Sequence, residues 1–336
     1  MFNKTYFLMK KNIAVIMGGY SSEHDISVKS GTTVFNHIDS NLYNPYKVII
    51  DKDNWNLVTS DGVNYPINRE HFNCTINDVE INFELVFVMI HGTPGEDGVI
   101  QKYFDNLNIP YTGPSSEVAL LTFNKKSCVE FARKNNIRTA NSILIKENTD
   151  FSYEKIGEEL KFPLFVKANN SGSSYGISKV YNVKDLEIAI ENSFEFDSEV
   201  LVEQFLDGKE VSVGVMNYEN EIKVFGITEI ATTNDFFDYE AKYEGKHEEI
   251  SPARINEIQK ENVEKAAKEI YVKLNMKGFS RSDFIFIGDT PFLLEVNSIP
   301  GMTEQSIFPK QVKMNNISLR KLFTYMIEDT LKNFKK

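Results

Sequence analysis

Three oxygen-bearing side chains near the carboxyl end of the sequence have the spacing of a divalent metal site. Side chains two residues apart on a strand share a face, so Asp283 shares one with Arg281, and Asn297 shares one with Glu295. A short turn between the two segments lets them pair, and three oxygen donors suit Mg²⁺ or Mn²⁺. A solvent-facing hairpin is the alternative, although Asn297 leads directly into the proline–glycine loop SIPGMT. Arg281 beside such a site could neutralise an oxyanion.

A lysine at the end of a predicted strand precedes a run of small residues that suits phosphate binding. Lys167 is followed by ANNSGSSYG, whose backbone N–H groups could close over phosphates while the lysine supplies positive charge. The segment is not a Walker loop, because the lysine precedes the glycines and no GK[ST] follows. A flexible linker is the alternative, but a two-stranded hairpin rarely needs so long a connection.

Two other segments carry polar side chains of less specific meaning. In VEQFLDGKE, Glu203 ends one predicted strand and Glu210 begins the next, where each could accept a hydrogen bond from an adenine amino group or a ribose hydroxyl. Taken singly, such acids are more often ordinary surface residues. In FFDYEAKY, Lys242 and Tyr243 lie in a polar loop, where charges flanked by aromatic residues are unusual for a linker.

The loops that follow two amino-terminal strands also contain candidate residues. Glu23, in GGYSSEHD, falls in the first turn of a predicted helix, where it could bind a substrate amine or serve only as a cap. His91 opens the glycine loop HGTPGEDG, and a single loop histidine is usually structural or merely exposed. The first loop lacks GxGxxG, which disfavours a nicotinamide-dependent oxidoreductase.

Charge and composition narrow the classes of partner. The sequence has 37 Lys and Arg against 48 Asp and Glu, and its net charge of −11 disfavours nucleic acid and anionic membranes. Its apolar runs are far shorter than the roughly 18 residues that a membrane helix needs. Two cysteines and the lack of a secretory signal pattern predict a reducing, cytoplasmic location.

The candidate residues are carried by three predicted units. Residues 1–113 alternate strands and helices, as in a Rossmann-like domain, and end at the stretch IPYTGPSS. Residues 114–199 and 200–336 form two α+β units that face each other.

Local patterns predict individual elements within these units. Ser22 and Asp25 have the spacing of a capping box at the start of the first helix. Asp61 and Gly62 predict the turn of a β-hairpin. A long amphipathic helix is predicted from residue 252 to residue 275, with Pro252 in its first turn.

Seven segments, in order along the chain, resemble the D-alanine–D-alanine ligases of the ATP-grasp superfamily: GGYSSEHDIS, HGTPGEDG, NKKS, GSSYG, VEQFLDGKE, FFDYEAKY and RSDF…LLEVNSIPGMT. The resemblance extends from Asn12 to about Glu328. It implies a mixed α+β and α/β, three-domain ATP-grasp fold with an N-terminal Rossmann-like (pre-ATP-grasp) domain, and with ATP held between the second and third domains. It also implies the ATP-dependent joining of two D-alanines for peptidoglycan synthesis, through an acyl phosphate, by a homodimer.

The same resemblance implies a role for each candidate residue. ATP would be contacted by Lys125, Lys167, Ser174, Glu203, Glu210 and Lys242. Two Mg²⁺ or Mn²⁺ ions would be held by Asp283, Glu295 and Asn297. The first D-alanine would be enclosed by Glu23, Ser173 and Tyr243. The second D-alanine and the tetrahedral intermediate would be surrounded by His91, Arg281, Gly301 and Ser306.

Two alternatives stay open within the superfamily. The chain could be another ATP-grasp carboxylate–amine ligase, or a ligase that joins D-alanine to D-lactate. Tyr243 favours a dipeptide ligase, because the resemblance implies a different residue there in relatives that use D-lactate. A non-catalytic nucleotide-binding module would lack the three candidate metal ligands.

Overall fold

The computed structural model describes residues 10–170, 177–232 and 247–334, which form three β-sheets with helices packed against them. Four candidate residues lie outside the described ranges: Ser173, Ser174, Lys242 and Tyr243. Among the residues that are described, no helix has the length and apolar character that a membrane crossing requires.

The first sheet has seven strands with a parallel centre. The strands are Lys11–Gly18 (β1), Tyr43–Ile50 (β2), Trp55–Val58 (β3), Asn64–Asn68 (β4), Asn73–Ile76 (β5), Val79–Asn82 (β6) and Leu85–Val88 (β7). Their order is β6-β5-β4-β3-β2-β1-β7, and β1 pairs in parallel with both β2 and β7. Helices α1 (His24–His37) and α2 (Val99–Leu107) follow β1 and β7. The two glycine-containing loops before these helices therefore emerge at the same edge of the sheet.

Helix α1 packs closely on β1. Residues Ile13–Met17 of β1 are fully buried, as expected for an apolar run in a parallel strand covered on both faces. A Cβ atom at Gly31 would lie only 2.6 Å from the Cβ of Met17. The lack of a side chain at Gly31 therefore sets how near α1 approaches the sheet.

Two local predictions for this unit have opposite outcomes. The hairpin is confirmed, because β3 and β4 are antiparallel and Gly62 adopts a φ of +82° between them. The capping box of Ser22 and Asp25 is wrong. The N-cap is Glu23, and within the described residues its side chain makes no capping hydrogen bond. A turn anchored by Ser21, whose hydroxyl accepts from the Glu23 N–H at 3.3 Å, starts the helix one residue later than that box requires.

The second sheet has four strands and its own apolar core. It consists of Ser142–Lys146 (β8), Leu164–Ala168 (β9), Ser178–Val180 (β10) and Glu199–Gln204 (β11), in the order β10-β9-β11-β8. The helices that cover it belong to the same stretch of chain, namely α5 (Tyr153–Leu160) and α6 (Val183–Phe194). One apolar cluster from Ile145 to Val202 joins these elements.

The position of β11 bears on the predicted boundary at residue 199/200. This strand lies between β9 and β8, with Leu201 opposite Lys167, rather than in the third sheet. Val200, Leu201 and Val202 are fully buried there. We propose that the boundary between the second and third units follows Gln204.

The third sheet has five strands. It consists of Lys209–Tyr218 (β12), Glu221–Thr232 (β13), His247–Ile250 (β14), Phe279–Ile287 (β15) and Thr290–Asn297 (β16), in the order β14-β13-β12-β15-β16. Helices α3 (Ser116–Phe123), α4 (Lys125–Lys134) and α7 (Glu257–Lys273) pack on it. The predicted helix start at Pro252 is wrong, because Asn256 and Gln259 form a capping box that begins α7 at Glu257.

The chain end returns to the first sheet. Helix α8 (Ile307–Met314) is followed by α9 (Leu319–Asn333), whose N-cap is Ser318. The rings of Phe323 and Phe87 pack edge to face with centroids 5.5 Å apart. Residues of the first and third sheets consequently share one continuous apolar cluster.

Candidate active site

A cavity of about 950 Å³ opens between the three sheets. Its walls come from β9, β11, β12, β15 and β16 and from the loops that follow β1 and β7. The candidate residues that the structure describes all line this cavity: Glu23, His91, Lys125, Lys167, Glu203, Glu210, Arg281, Asp283, Glu295, Asn297, Gly301 and Ser306. Residues separated by more than 280 positions in the sequence are thus brought to one site.

The two strands with the predicted metal ligands pair as expected. Asp283 lies opposite Glu295, and Arg281 lies opposite Asn297, in the antiparallel register of β15 and β16. The Asn297 side-chain amide donates to Asp283 Oδ2 at 3.0 Å and to Glu295 Oε1 at 3.3 Å. The three side chains therefore converge, and the prediction that they share one face is confirmed.

Asp283 is also the counter-charge of Arg281. The guanidinium donates from Nε to Oδ1 at 3.1 Å and from Nη2 to Oδ2 at 3.0 Å. Burial opposes the charged form of Arg281, but the charge of Asp283 outweighs it and holds the Arg281 pKa above its usual range. Ser212 on β12 adds a 2.5 Å hydrogen bond to Asp283 Oδ1. Sequence reasoning missed Ser212, whose only signal is its position opposite Asp283 in the strand register.

Lys167 and Glu203 form a buried ion pair on the facing wall. Their side chains are 11% and 7% exposed, and Nζ lies 2.5 Å from Oε2. Burial alone would lower the pKa of Lys167, but the charge of Glu203 and its hydrogen bond raise it overall. Lys125, at the first position of α4, is also buried, and burial lowers its pKa. Two lysine side chains are thus buried at this end of the cavity.

Two carboxyl groups of the cavity have strongly raised pKa values. Burial, followed by the charges of Asp283 and Glu295, raises the pKa of Glu210 to about 8. Burial, followed by the charge of Glu23, raises the pKa of Glu96 to about 8. Glu96 belongs to the HGTPGEDG segment, but its role was not predicted from the sequence. In both cases burial is the largest cause, and neighbouring carboxylates add to it.

The loops of the first unit meet the loop that follows β16. His91 is hydrogen-bonded from Nδ1 to the Ile299 carbonyl and from Nε2 to the Ser30 hydroxyl, both at 3.0 Å. Gly301 lies close to Ser306, because a Cβ atom on the glycine would be 3.0 Å from the serine Oγ. Ser306 is the N-cap of α8. A helix N-terminus of this kind favours a carboxylate.

The arrangement divides the cavity chemically. One end offers buried lysines to a polyanion, and the wall of β15 and β16 offers oxygen donors to a cation. Across the described residues, no cluster of three His, Cys, Asp or Glu side chains is arranged around a metal position. A metal site here would consequently need the amide oxygen of Asn297 beside the carboxylates of Asp283 and Glu295. The remaining end offers an acid, an arginine and a helix N-terminus to a small zwitterion.

Known proteins resemble this chain over nearly its whole length. A family model described as D-ala D-ala ligase N-terminus matches residues 12–114, and one described as D-ala D-ala ligase C-terminus matches residues 133–328. A D-alanine--D-alanine ligase of Flavobacterium johnsoniae is 47% identical over 321 residues, which are 96% of this chain and 99% of that relative.

Solved structures also match this chain over nearly its whole length. The VanG D-Ala:D-Ser ligase from Enterococcus faecalis superposes with a TM-score of 0.85 at 32% identity, covering 95% of this chain and 99% of that one. The D-alanine--D-alanine ligase from Bacillus anthracis complexed with ATP superposes with a TM-score of 0.78 at 27% identity, covering 96% and 98%. The similarity therefore includes all three sheets.

Proposed function

The chain belongs to the D-alanine–D-alanine ligase family, and on that premise we propose how its cavity performs the ATP-dependent joining of two D-alanines. The reaction yields D-alanyl-D-alanine for cell-wall precursor synthesis. The family resemblance and the ATP-grasp fold expected from the sequence are confirmed. The observation that supports the residue assignments below is the convergence of twelve candidates on one cavity.

ATP is assigned to the end of the cavity between the second and third sheets. Lys125 and Lys167 would hold its phosphates, because an ammonium group is a compact charge suited to phosphate oxygens. Glu203 would accept from the adenine amino group, and Glu210 would accept from the ribose hydroxyls. When ATP binds, Lys167 and Glu203 would therefore give up the ion pair between them. Lys167 would contact the phosphate end of ATP, and Glu203 would contact the adenine end.

Divalent ions are assigned to Asp283, Glu295 and Asn297. The donor set fits Mg²⁺ or Mn²⁺, since all three side chains offer oxygen and the Asn297 amide group contacts both carboxylates. When bound, two such ions would neutralise the phosphate oxygens during phosphoryl transfer. Activity with each metal alone tests the preference.

The first D-alanine is assigned to Glu23, whose carboxylate would bind its ammonium group, together with Ser173 and Tyr243. Its carboxylate is a poor acyl donor, so ATP first converts it to an acyl phosphate. Ser174 and Lys242 would contact the transferred phosphate. The site must exclude water while the acyl phosphate persists.

The second D-alanine is assigned to the region of Gly301 and Ser306. The N-terminus of α8 would favour its carboxylate. Arg281 and the Gly301 amide would stabilise the oxyanion of the tetrahedral intermediate. Both ring nitrogens of His91 already bond to protein groups, so we assign His91 to positioning rather than to direct contact with the reacting atoms.

A product assay tests the proposal. Purified protein is incubated with ATP, MgCl₂ and D-alanine, with D-lactate and D-serine in parallel competitions, and ADP and products are measured by a coupled assay and mass spectrometry. We expect one ADP for each D-alanyl-D-alanine formed. A depsipeptide or a D-alanyl-D-serine product in preference to the D-alanine dipeptide would refute the substrate assignment.

We also propose a cytoplasmic homodimer. The two cysteines, Cys74 and Cys128, are free and buried, which suits a reducing compartment that supplies ATP. The dimer follows from the family resemblance alone. Size-exclusion chromatography with light scattering is its direct test.

A further inference from the structure

A buried serine links helix α1 to the loop that follows β16. Ser30 is 0% exposed, and its hydroxyl oxygen accepts from the Met302 N–H at 3.1 Å. The same hydroxyl contacts His91 Nε2 at 3.0 Å, while His91 Nδ1 contacts the Ile299 carbonyl at 3.0 Å. Ser30 and Met302 are 272 positions apart in the sequence, so this contact joins the first unit to the third.

The chemistry of the partners determines which group donates in each of these hydrogen bonds. A carbonyl oxygen only accepts, so we assign the His91 proton to Nδ1, which leaves Nε2 as an acceptor. Ser30 consequently donates to His91 and accepts from Met302. Each hydrogen bond thus runs in the same direction, from the Met302 N–H to Ser30, from Ser30 to His91, and from His91 to the Ile299 carbonyl.

These bonds hold the main chain on both sides of Gly301. The side chains of Ile299 and Met302 already insert into the core shared by the first and third sheets. Apolar packing fixes where the loop lies, but it does not determine the direction of a main-chain N–H group. The hydrogen bonds at Ile299 and Met302 add that constraint.

We infer that Ser30 is a positioning residue for the acyl-transfer step, acting by aligning the Gly301 amide through Met302 and His91. The inference rests on the proposed function, in which that amide stabilises the tetrahedral oxyanion. Phosphoryl transfer to the first D-alanine depends on lysines and metal ligands elsewhere in the cavity. Loss of Ser30 should therefore affect the second half-reaction much more than the first.

The same helix provides a matched control. Ser27 is also 0% exposed, accepts from the Gly18 N–H at 2.8 Å and donates to the Met89 carbonyl at 2.7 Å. Its partners all belong to the first unit. Ser27→Ala thus removes a buried serine with two hydrogen bonds from α1 without touching the loop around Gly301.

The experiment compares Ser30→Ala, Ser30→Thr and Ser27→Ala in the full-length protein. Dipeptide synthesis gives kcat and the KM for the second D-alanine, and isotope exchange within ATP reports reversible formation of the acyl phosphate. For Ser30→Ala we expect kcat to fall about tenfold, because the Met302 N–H and His91 Nε2 would both lose their hydrogen bond to Ser30. The rate of isotope exchange should stay within about twofold of that of the unmodified protein. Ser30→Thr, which keeps the hydroxyl, should recover most of the loss, and Ser27→Ala should keep kcat.

Three results would overturn the inference: an unchanged kcat in Ser30→Ala, an equal fall in Ser27→Ala, or an equal fall in exchange and synthesis. Failure of the proposed function gives a different result, because the unmodified protein would then form no D-alanyl-D-alanine, and the inference would fall with it.

Discussion

Replacing Glu203 by glutamine would leave the positive charge of Lys167 buried without the carboxylate that now pairs with it. The pair is among the least exposed ion pairs of the described residues, at 11% and 7%, with a 2.5 Å contact. Glutamine has nearly the same shape and keeps an oxygen acceptor, so packing around the site should change little. The perturbation therefore isolates the loss of one buried negative charge.

The expected cost follows from burial. Removing one partner of a buried pair costs about 3–5 kcal/mol, because the other charge is left uncompensated. The charge of Glu295 also acts on Lys167, which places the cost at the lower end, about 3 kcal/mol. With an unfolding entropy near 2.1 cal/mol/K per residue, 336 residues melting together convert this into a Tm decrease of about 4 °C.

Thermal unfolding without nucleotide measures this decrease separately from any effect on ATP binding. The control is Glu219→Gln, whose partner Lys321 lies 3.3 Å away with both side chains more than 60% exposed. We expect no measurable change in the Tm of Glu219→Gln. An ATP titration should then show a raised KM for Glu203→Gln. Equal Tm values for Glu203→Gln and the unmodified protein would contradict the argument from burial.

Further predictions concern the metal ligands, a glycine and a surface histidine. Glu295→Gln should keep the far-UV circular dichroism spectrum but abolish turnover, and near-normal activity would mean that the proposed magnesium site is wrong. Gly95→Ala should lower the free energy of unfolding by roughly 2 kcal/mol or more in a urea titration, because its Cβ would lie 2.0 Å from a main-chain carbonyl oxygen. Burial opposes protonation of His24, but Asp25 and Asp51 raise its pKa overall, so its stabilising interactions should be present at low pH and lost as pH rises through that raised pKa. In an NMR titration the pKa of His24 should fall in Asp51→Asn, and an unchanged value would exclude the pairing.

The strands that carry the metal candidates were predictable because their signal is local. Alternation along RSDF and LLEVN places side chains on a common face, and the short turn between them sets the antiparallel register in which Asp283 faces Glu295. The same reasoning located Lys167 at a strand end. Periodicity and spacing were sufficient for these strands, but not for the helix starts near Ser22 and Pro252, where a neighbouring residue provides the cap instead.

Contacts between distant segments were not predictable in this way. Ser30 and Ser212 are single serines with no periodic pattern around them, and each acquires its role only when another part of the chain packs beside it. The start of α7 was misplaced because Pro252 is a common first-turn residue, whereas the side chains of Asn256 and Gln259 cap the helix more directly. The pattern around Val200 predicts a strand, but it does not identify β8 and β9 as the neighbours of that strand.

The separate core of the four-stranded sheet has a mechanical consequence. That sheet contributes Lys167 and Glu203 to the cavity, yet among the described residues its apolar cluster from Ile145 to Val202 has no members in the other two sheets. The first and third sheets are instead fused through α9 and the residues around Phe279. Rotation of the smaller sheet as a jaw against this larger body would leave every apolar cluster intact. We therefore expect opening and closing of the cavity to exchange polar contacts rather than to break an apolar core.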